Sequence, residues 1–220
     1  MGILAFGINH KSASVDLRGK IAFAPEIVVQ VLQDARSILN VQEIALLSTC
    51  NRTEIYLCGD ATDLQLLTWL SMIKGVEISQ LQSCYYCHRD EQAITHMMRV
   101  AGGLDSLILG EPQIFGQIKS AYSVGREAGT VSTFLNQAFQ QAFSAAKRVR
   151  SETAIGKNPV SIAYASVSLA AQIFTDLKDA HALLIGAGET IDLVAKHLRV
   201  KIQFPSPMPR LVWPRRFSPI

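Results

Sequence analysis

Two strand-like apolar runs, residues 44–49 and 53–57, are separated by only Cys50-Asn51-Arg52. So tight a link makes the runs neighbours in an antiparallel sheet, since parallel neighbours need a long crossover. The flanking sequence fixes the rest of the order. Residues 3–8 read as a strand. Residues 24–39 read as a helix, with Pro25 near its start and Ile27, Val28, Val31, Leu32 and Ala35 at helical spacing. A further helix is predicted over 64–73 and a fourth strand over 85–88. The order β-α-β-β-α-β is the ferredoxin-like arrangement, an α+β fold. It places the Cys50 turn at one end of an antiparallel sheet, open to a ligand.

The chain then turns helical. Residues 91–100 carry Ile94, Met97, Met98 and Ala101 on one face, with His96 beside that stripe but off it. Pro112 starts another helix, with Glu111 at the end where the helix dipole favours a carboxylate. Phe134, Leu135, Ala138, Phe139, Ala142, Phe143 and Ala146 form a wide core stripe on a longer helix. Gly156-Lys157-Asn158-Pro159 breaks the pattern and marks a domain boundary. Beyond it come a helix over 160–177, a strand over 182–185, the turn Gly186-Ala187-Gly188 and a helix over 190–198. A glycine turn between strand and helix offers backbone N–H groups to phosphate. The third glycine of the usual G-x-G-x-x-G is replaced by Ile191, so a cofactor loop and a plain βα turn are both open readings. From 201 to 220 there are five prolines, four basic residues and no acidic one, so no regular element is expected there.

With 49% hydrophobic and 18% charged residues, the chain can build a packed core and is not a disordered protein. A net charge of +3 does not demand a nucleic-acid partner, and the cluster Lys147-Arg148-Val149-Arg150 reads first as a solvated helix face. There is no basic leader before an apolar run and no stretch of ~18 apolar residues, so a cytoplasmic, reducing setting with free thiols is expected. Cys84-Tyr85-Tyr86-Cys87-His88 spells C-x-x-C-H. In a strand, alternation points the two sulfurs apart, which argues against redox or haem chemistry. No second ligand pair has zinc spacing, so no metal is expected. Cys50 is different. It ends an apolar run and has an arginine two residues on, a setting that can favour the nucleophilic thiolate.

Ser48-Thr49-Cys50-Asn51-Arg52-Thr53-Glu54 resembles the active-site segment of the glutamyl-tRNA reductase family. So, in the family's order, do Gly7-Ile8-Asn9-His10-Lys11-Ser12-Ala13, residues 102–117 (GGLDSLILGEPQIFGQ) and Ala146-Lys147-Arg148-Val149-Arg150-Ser151-Glu152-Thr153. Residues 184–198 (LIGAGETIDLVAKHL) resemble its nucleotide-binding loop. The resemblance covers about residues 1–199, and the last twenty-one residues do not fit it. It implies an α/β chain: an α+β ferredoxin-like catalytic domain with added helices over 1–155, then the start of a Rossmann-type NADP-binding domain over 159–199. Residues 200–220 read as an aberrant Pro/Arg-rich tail, which a reading-frame change followed by an early end would explain.

The implied reaction is NADPH-dependent reduction of glutamyl-tRNA to glutamate-1-semialdehyde through a Cys50 thioester, the first step of tetrapyrrole synthesis. Cys50 and His96 fall on catalytic positions, His96 for proton transfer or positioning, with a core histidine as the other reading. Thr49, Cys50, Asn51, Arg52, Ser106, Glu111, Pro112, Gln113 and Gln117 fall on substrate-binding positions. Arg52 would clamp a substrate carboxylate, the alternative being a surface ion pair with Glu54. Gly186, Ala187, Gly188, Glu189, Thr190 and Ile191 would hold NADPH. The implied partners are glutamyl-tRNA, a second copy through a dimerisation domain missing from this sequence, and glutamate-1-semialdehyde aminomutase. A second class of function stays open: a non-reducing remnant that binds glutamyl-tRNA and at most hydrolyses its ester.

Overall fold

The computed structural model of the chain describes residues 2–156, 162–174, 182–186 and 189–201. The chain divides into two units, Met1–Val160 and Ser161–Ile220.

The first unit is built on four strands, β1 Ile3–Asn9, β2 Glu43–Ser48, β3 Arg52–Cys58 and β4 Tyr86–Arg89. They lie in the order β2-β3-β1-β4, each antiparallel to its neighbours. This is the ferredoxin-like sheet that the element order predicts. Helices α1 Val15–Ile21, α2 Val28–Ile38, α3 Asp63–Lys74 and α4 Ile78–Gln82 belong to the first half. Then come α5 Glu91–Ala101, α6 Gln113–Glu127 and α7 Thr133–Glu152. The predicted helix 24–39 opens as a 3-10 turn, Pro25–Ile27, before α2 begins. Two short helices, α1 and α4, were not expected. α1 is announced by Ser14, whose hydroxyl accepts from Leu17 N–H. α3 begins in a capping box between Thr62 and Gln65 and ends at Gly75, whose φ of 61° suits a glycine.

Strand periodicity splits the core in two. Leu4, Phe6 and Ile8 of β1, Ile44 and Leu46 of β2, and Ile55 and Leu57 of β3 pack with Leu32 of α2 and Leu66 and Leu70 of α3. The alternate residues Ala5, Ala45, Leu47 and Tyr56 pack with Met97 of α5, Ile118 of α6, and Leu135 and Phe139 of α7. Each fully buried large apolar side chain contributes roughly 1.5–3 kcal/mol. Because helices cover both faces, every residue of β3 is buried, charged ones included. The α7 N-terminus is closed from a distance. The Glu43 carboxylate accepts from the N–H groups of Ser132, Phe134 and Leu135 and from the Ser132 hydroxyl, at 2.6–3.1 Å.

In the second unit, α8 Ile162–Ile173 packs on α9 Glu189–Lys201, with Tyr164 and His197 in ring contact. The strand expected at 182–185 is not formed. A parallel strand is held by a neighbour that satisfies its N–H and C=O groups. No described residue pairs with this segment, and Leu183 and Ile185 are 84% and 81% exposed. Residues 202–220, the proline-rich tail, lie outside the described residues.

Candidate active site

The β2–β3 connection is a turn organised by Thr49. Its N–H donates to the Arg52 carbonyl at 2.8 Å, and its hydroxyl accepts from the N–H groups of Asn51 and Arg52 at 3.2 and 3.1 Å. The Asn51 carbonyl accepts from His10 N–H at 2.9 Å, which ties the turn to the end of β1. Cys50 stands at the apex as an exposed free thiol. Arg18 of α1 bridges to it, donating from Nε to the Cys50 carbonyl at 3.3 Å and from Nη1 to the Ala13 carbonyl at 2.6 Å. Thr49 and Asn51 are thus turn-builders first, and the turn holds the thiol out of the fold.

Arg52 corrects an expectation. Its fork is not open at the surface, nor in a surface ion pair, because the residue is 1% exposed. Nη1 donates to Glu54 Oε1 at 2.6 Å, and Nη2 donates to the Asp105 carbonyl at 2.5 Å and to Asp105 Oδ2 at 3.1 Å. The cause is the period of two on β3. Arg52, Glu54 and Tyr56 share the face that α5–α7 cover, so a guanidinium enclosed there needs carboxylate partners. Asp105 also takes Lys11 Nζ at 2.5 Å. Lys11 is half exposed, so the Lys11–Asp105–Arg52 chain runs from solvent into the interior.

Glu54 is the hub. Its carboxylate accepts from Arg52, from the hydroxyls of Tyr56 and Tyr86, and from His96 Nε2 at 3.0 Å. Burial alone would raise this carboxyl. The His96 hydrogen bond, the Arg52 charge and the Tyr56 hydroxyl together hold it well below the ordinary carboxylate range. Burial and the adjacent Glu54 charge push both tyrosine hydroxyls far up, so they stay donors. Gly7 makes the space: it faces Glu54 and Tyr86 across the sheet, and a Cβ there would come within 2.7 Å of the Glu54 side chain and the Tyr86 hydroxyl.

His96 lies on the buried face of α5, not off it as the apolar stripe suggested. It forms one wall of a cleft of about 500 Å³, with His88 of β4, Thr95 and Arg99 of α5, and Asp105. Glu54 lies four residues from Cys50 along the chain, at most about 13 Å at strand rise. The ring of His96 is docked on that carboxylate at 3.0 Å. Ser106 and Glu111 are half-buried in the 102–112 loop, and burial raises the Glu111 carboxyl while the Arg52 charge opposes the rise. Pro112 is exposed at the start of α6. Gln113 is half-buried in its first turn and Gln117, one turn on, is exposed. The side chains of Ser106, Gln113 and Gln117 hydrogen-bond to no other described residue, so their polar atoms are available to a ligand.

Of the expected cofactor residues, Gly186 adopts φ 128° and a Cβ there would meet Ile191 Cγ1 at 3.3 Å. Glu189, Thr190 and Ile191 open α9. Ala187 and Gly188 lie outside the described residues. The C-x-x-C-H cysteines are both free thiols. Cys84 Sγ donates to the Gln80 carbonyl at 3.2 Å, and burial with the nearby Asp63 pushes the Cys87 thiol up to about 12. Among the described residues no group of three or more His, Cys, Asp or Glu could hold a metal ion. No described helix is long and apolar enough to cross a membrane.

Glu54, Asp105, Tyr56 and Tyr86 were missed as site residues. One signal was available: Arg52 and Glu54 sit two apart in a run whose other members are strand formers. On a strand buried on both faces, that places two charges side by side in the core.

Residues 6–153 match the family described as Glutamyl-tRNAGlu reductase, N-terminal domain, and residues 168–204 match Shikimate / quinate 5-dehydrogenase. Proteins named glutamyl-tRNA reductase from Stutzerimonas stutzeri and Pseudomonas aeruginosa are 56% and 57% identical over 199 residues, covering 90% of this chain and 47% of theirs. A solved structure, glutamyl-tRNA reductase from Methanopyrus kandleri, superposes with a TM-score of 0.63 at 31% identity, covering 90% of this chain and 47% of that one. The chain spans about half the length of the curated relatives it matches. With two thirds of its length matched by the family's N-terminal domain and the thiol turn and charged hub inside that match, the chain belongs to the glutamyl-tRNA reductase family.

Proposed function

We propose that residues 1–155 form a catalytic domain that takes the glutamyl group of glutamyl-tRNA onto Cys50, and that residues 159–199 begin an NADP-binding domain. The observation that carries this reading is an exposed thiol held at a turn apex two residues before Arg52, the first member of a buried, paired charge cluster. The Cys50 thiolate attacks the ester carbonyl, a C–S bond forms, and the ester C–O bond breaks. The tRNA ribose oxygen leaves and takes up a proton, giving a thioester and free tRNA. Thr49, Asn51 and Arg18 keep the thiol in place. Ser106, Glu111, Gln113 and Gln117 offer polar contacts to the substrate, and Pro112 sets the start of α6. Arg52 forms the floor of the site, and a substrate carboxylate reaches its fork only where Asp105 yields a contact. His96 acts through Glu54.

The glycine turn at Gly186 and the start of α9 at Glu189–Ile191 suit the pyrophosphate of a dinucleotide. Those residues would hold NADPH, which when bound supplies the reducing equivalent that turns the thioester into glutamate-1-semialdehyde. A second reading rests on the unpaired segment 182–186: a chain that acylates Cys50 and loses the thioester to water. Single-turnover reaction with glutamyl-tRNA, with and without NADPH, separates the two. Semialdehyde formed only with NADPH supports the reductase. Glutamate alone, unchanged by NADPH, supports the non-reducing reading, and no tRNA release in either case removes both.

A further inference from the structure

His88 has no part in the chemistry described so far. It stands two residues beyond Tyr86 on β4, so the two side chains leave the same face of the sheet. Its row across the sheet is His88, Ala5 and Tyr56, next to the row of Tyr86, Gly7 and Glu54. The central strand thus offers only a methyl and a hydrogen on this face. The space left is filled by α5, which brings His96 over both rows. The His88 and His96 rings lie 4.7 Å apart at 33°, and Tyr86 flanks His96 at 5.2 Å and 59°.

A single hydrogen bond does not fix an imidazole. The bond from His96 Nε2 to Glu54 leaves the ring free to rock about that contact, and a full ring flip would carry Nε2 away and put a carbon against the carboxylate. Two flat neighbours remove that freedom, because stacked and tilted rings interact best in particular relative orientations. Glu54 is fully buried and its carboxylate accepts only, so Nε2 must turn a hydrogen toward it.

On the reading of His96 given above, we propose that His88 is a positioning residue that holds the His96 ring with Nε2–H on Glu54. Two further observations fit. His88 and His96 both line the cleft, so the stacked pair forms a wall that a ligand reaches. Burial, then the neighbouring His96, lowers the His88 pKa, while Glu54 and Asp105 oppose the shift.

The test uses this chain with isotope-labelled histidine. Long-range proton–nitrogen spectra at neutral pH report how hydrogen is shared between the two ring nitrogens of His96, and acyl transfer from glutamyl-tRNA to Cys50 is timed on the same samples. His88→Phe keeps a flat ring and should leave the parent's sharing, with acyl transfer within about threefold of the parent. His88→Ala should change the sharing and slow acyl transfer by about tenfold or more. His88→Leu, which refills the volume without a flat ring, should behave like His88→Ala and serves if the alanine variant does not fold. The parent's sharing kept in His88→Ala or His88→Leu overturns the inference, whatever the rate. A changed sharing with an unchanged rate supports His88 as the positioning residue and removes His96 from the proposed reaction instead.

Discussion

The two faces of the sheet are built by the same strands and do opposite things. Toward α1–α4, Phe6, Ile8, Ile55 and Leu57 meet other apolar side chains and make a core that encloses no ion pair. Toward α5–α7, the residues between them include Arg52, Glu54, Tyr56 and Tyr86, gathered around one carboxylate. A period of two lets one strand supply both. The apolar face provides burial, and the other face uses that burial to hold charges in fixed pairs a few residues from an exposed thiol. Buried ion pairs are weak evidence for stability in themselves, yet breaking one is severe because the partner is left uncompensated.

The comparison breaks most readily at Glu54. Glu54→Ala leaves Arg52 with one carboxylate partner and two tyrosine hydroxyls without their acceptor. It should lower unfolding free energy by about 3–5 kcal/mol in denaturant titration. A loss below about 1 kcal/mol would mean that the charged face is held by packing alone. Arg52→Lys keeps the charge but loses the fork. It should weaken acyl transfer and stability by about 1–3 kcal/mol, read from single-turnover rates and melts. Full activity in that variant would remove Arg52 from the site.

Glu43 sharpens the comparison, because it is a buried carboxylate with a structural task. Glu43→Gln should cost about 1–2 kcal/mol through the α7 cap and leave acyl transfer unchanged at temperatures where the variant is folded. Below neutral pH the lowered groups set the main trend, opposed by Glu111, whose carboxyl burial raises. Glu43, Glu54 and Asp105 all have lowered folded pKa values. Their contribution is present above the ordinary carboxylate range, about 4, and is lost as pH falls through the folded values. His10 and His88 are lowered too, mainly by burial, so protonation of the unfolded chain below about 6.5 also favours unfolding. Melting temperature should fall steadily from pH 7 to pH 3, and a flat profile would contradict the network. The smallest effect is expected from Ile55→Val. Ile55 sits between Glu54 and Tyr56 but faces the other way, so about 1 kcal/mol of stability should go with no change in acyl transfer.

The strand–helix order, the sheet and the exposed turn at Cys50 were legible because hydrophobic period and short links are local properties. The short helices α1 and α4 were not, since a helix of a turn or two carries too little pattern to stand out. The strand at 182–185 was misread for a related reason. Its composition suits a strand, but pairing belongs to residues elsewhere. The site was half visible. Cys50, the polar turn and His96 stood out by motif, whereas the true surroundings of Arg52 depended on Asp105, more than fifty residues away. That contact follows from which face of β3 the helices cover, which the strand alone does not state. Gly7 was in view as part of a motif, but its reason, room for Glu54 and Tyr86, appears only across three strands.

The central claim is that Cys50 is the residue that carries the glutamyl group. Incubation with labelled glutamyl-tRNA, rapid acid quench and peptide mapping by mass spectrometry tests it directly. The account predicts a hydroxylamine-sensitive label on the peptide that contains Cys50, and none in a folded Cys50→Ser variant. Label on Cys58, Cys84 or Cys87, or label that persists in Cys50→Ser, would contradict it.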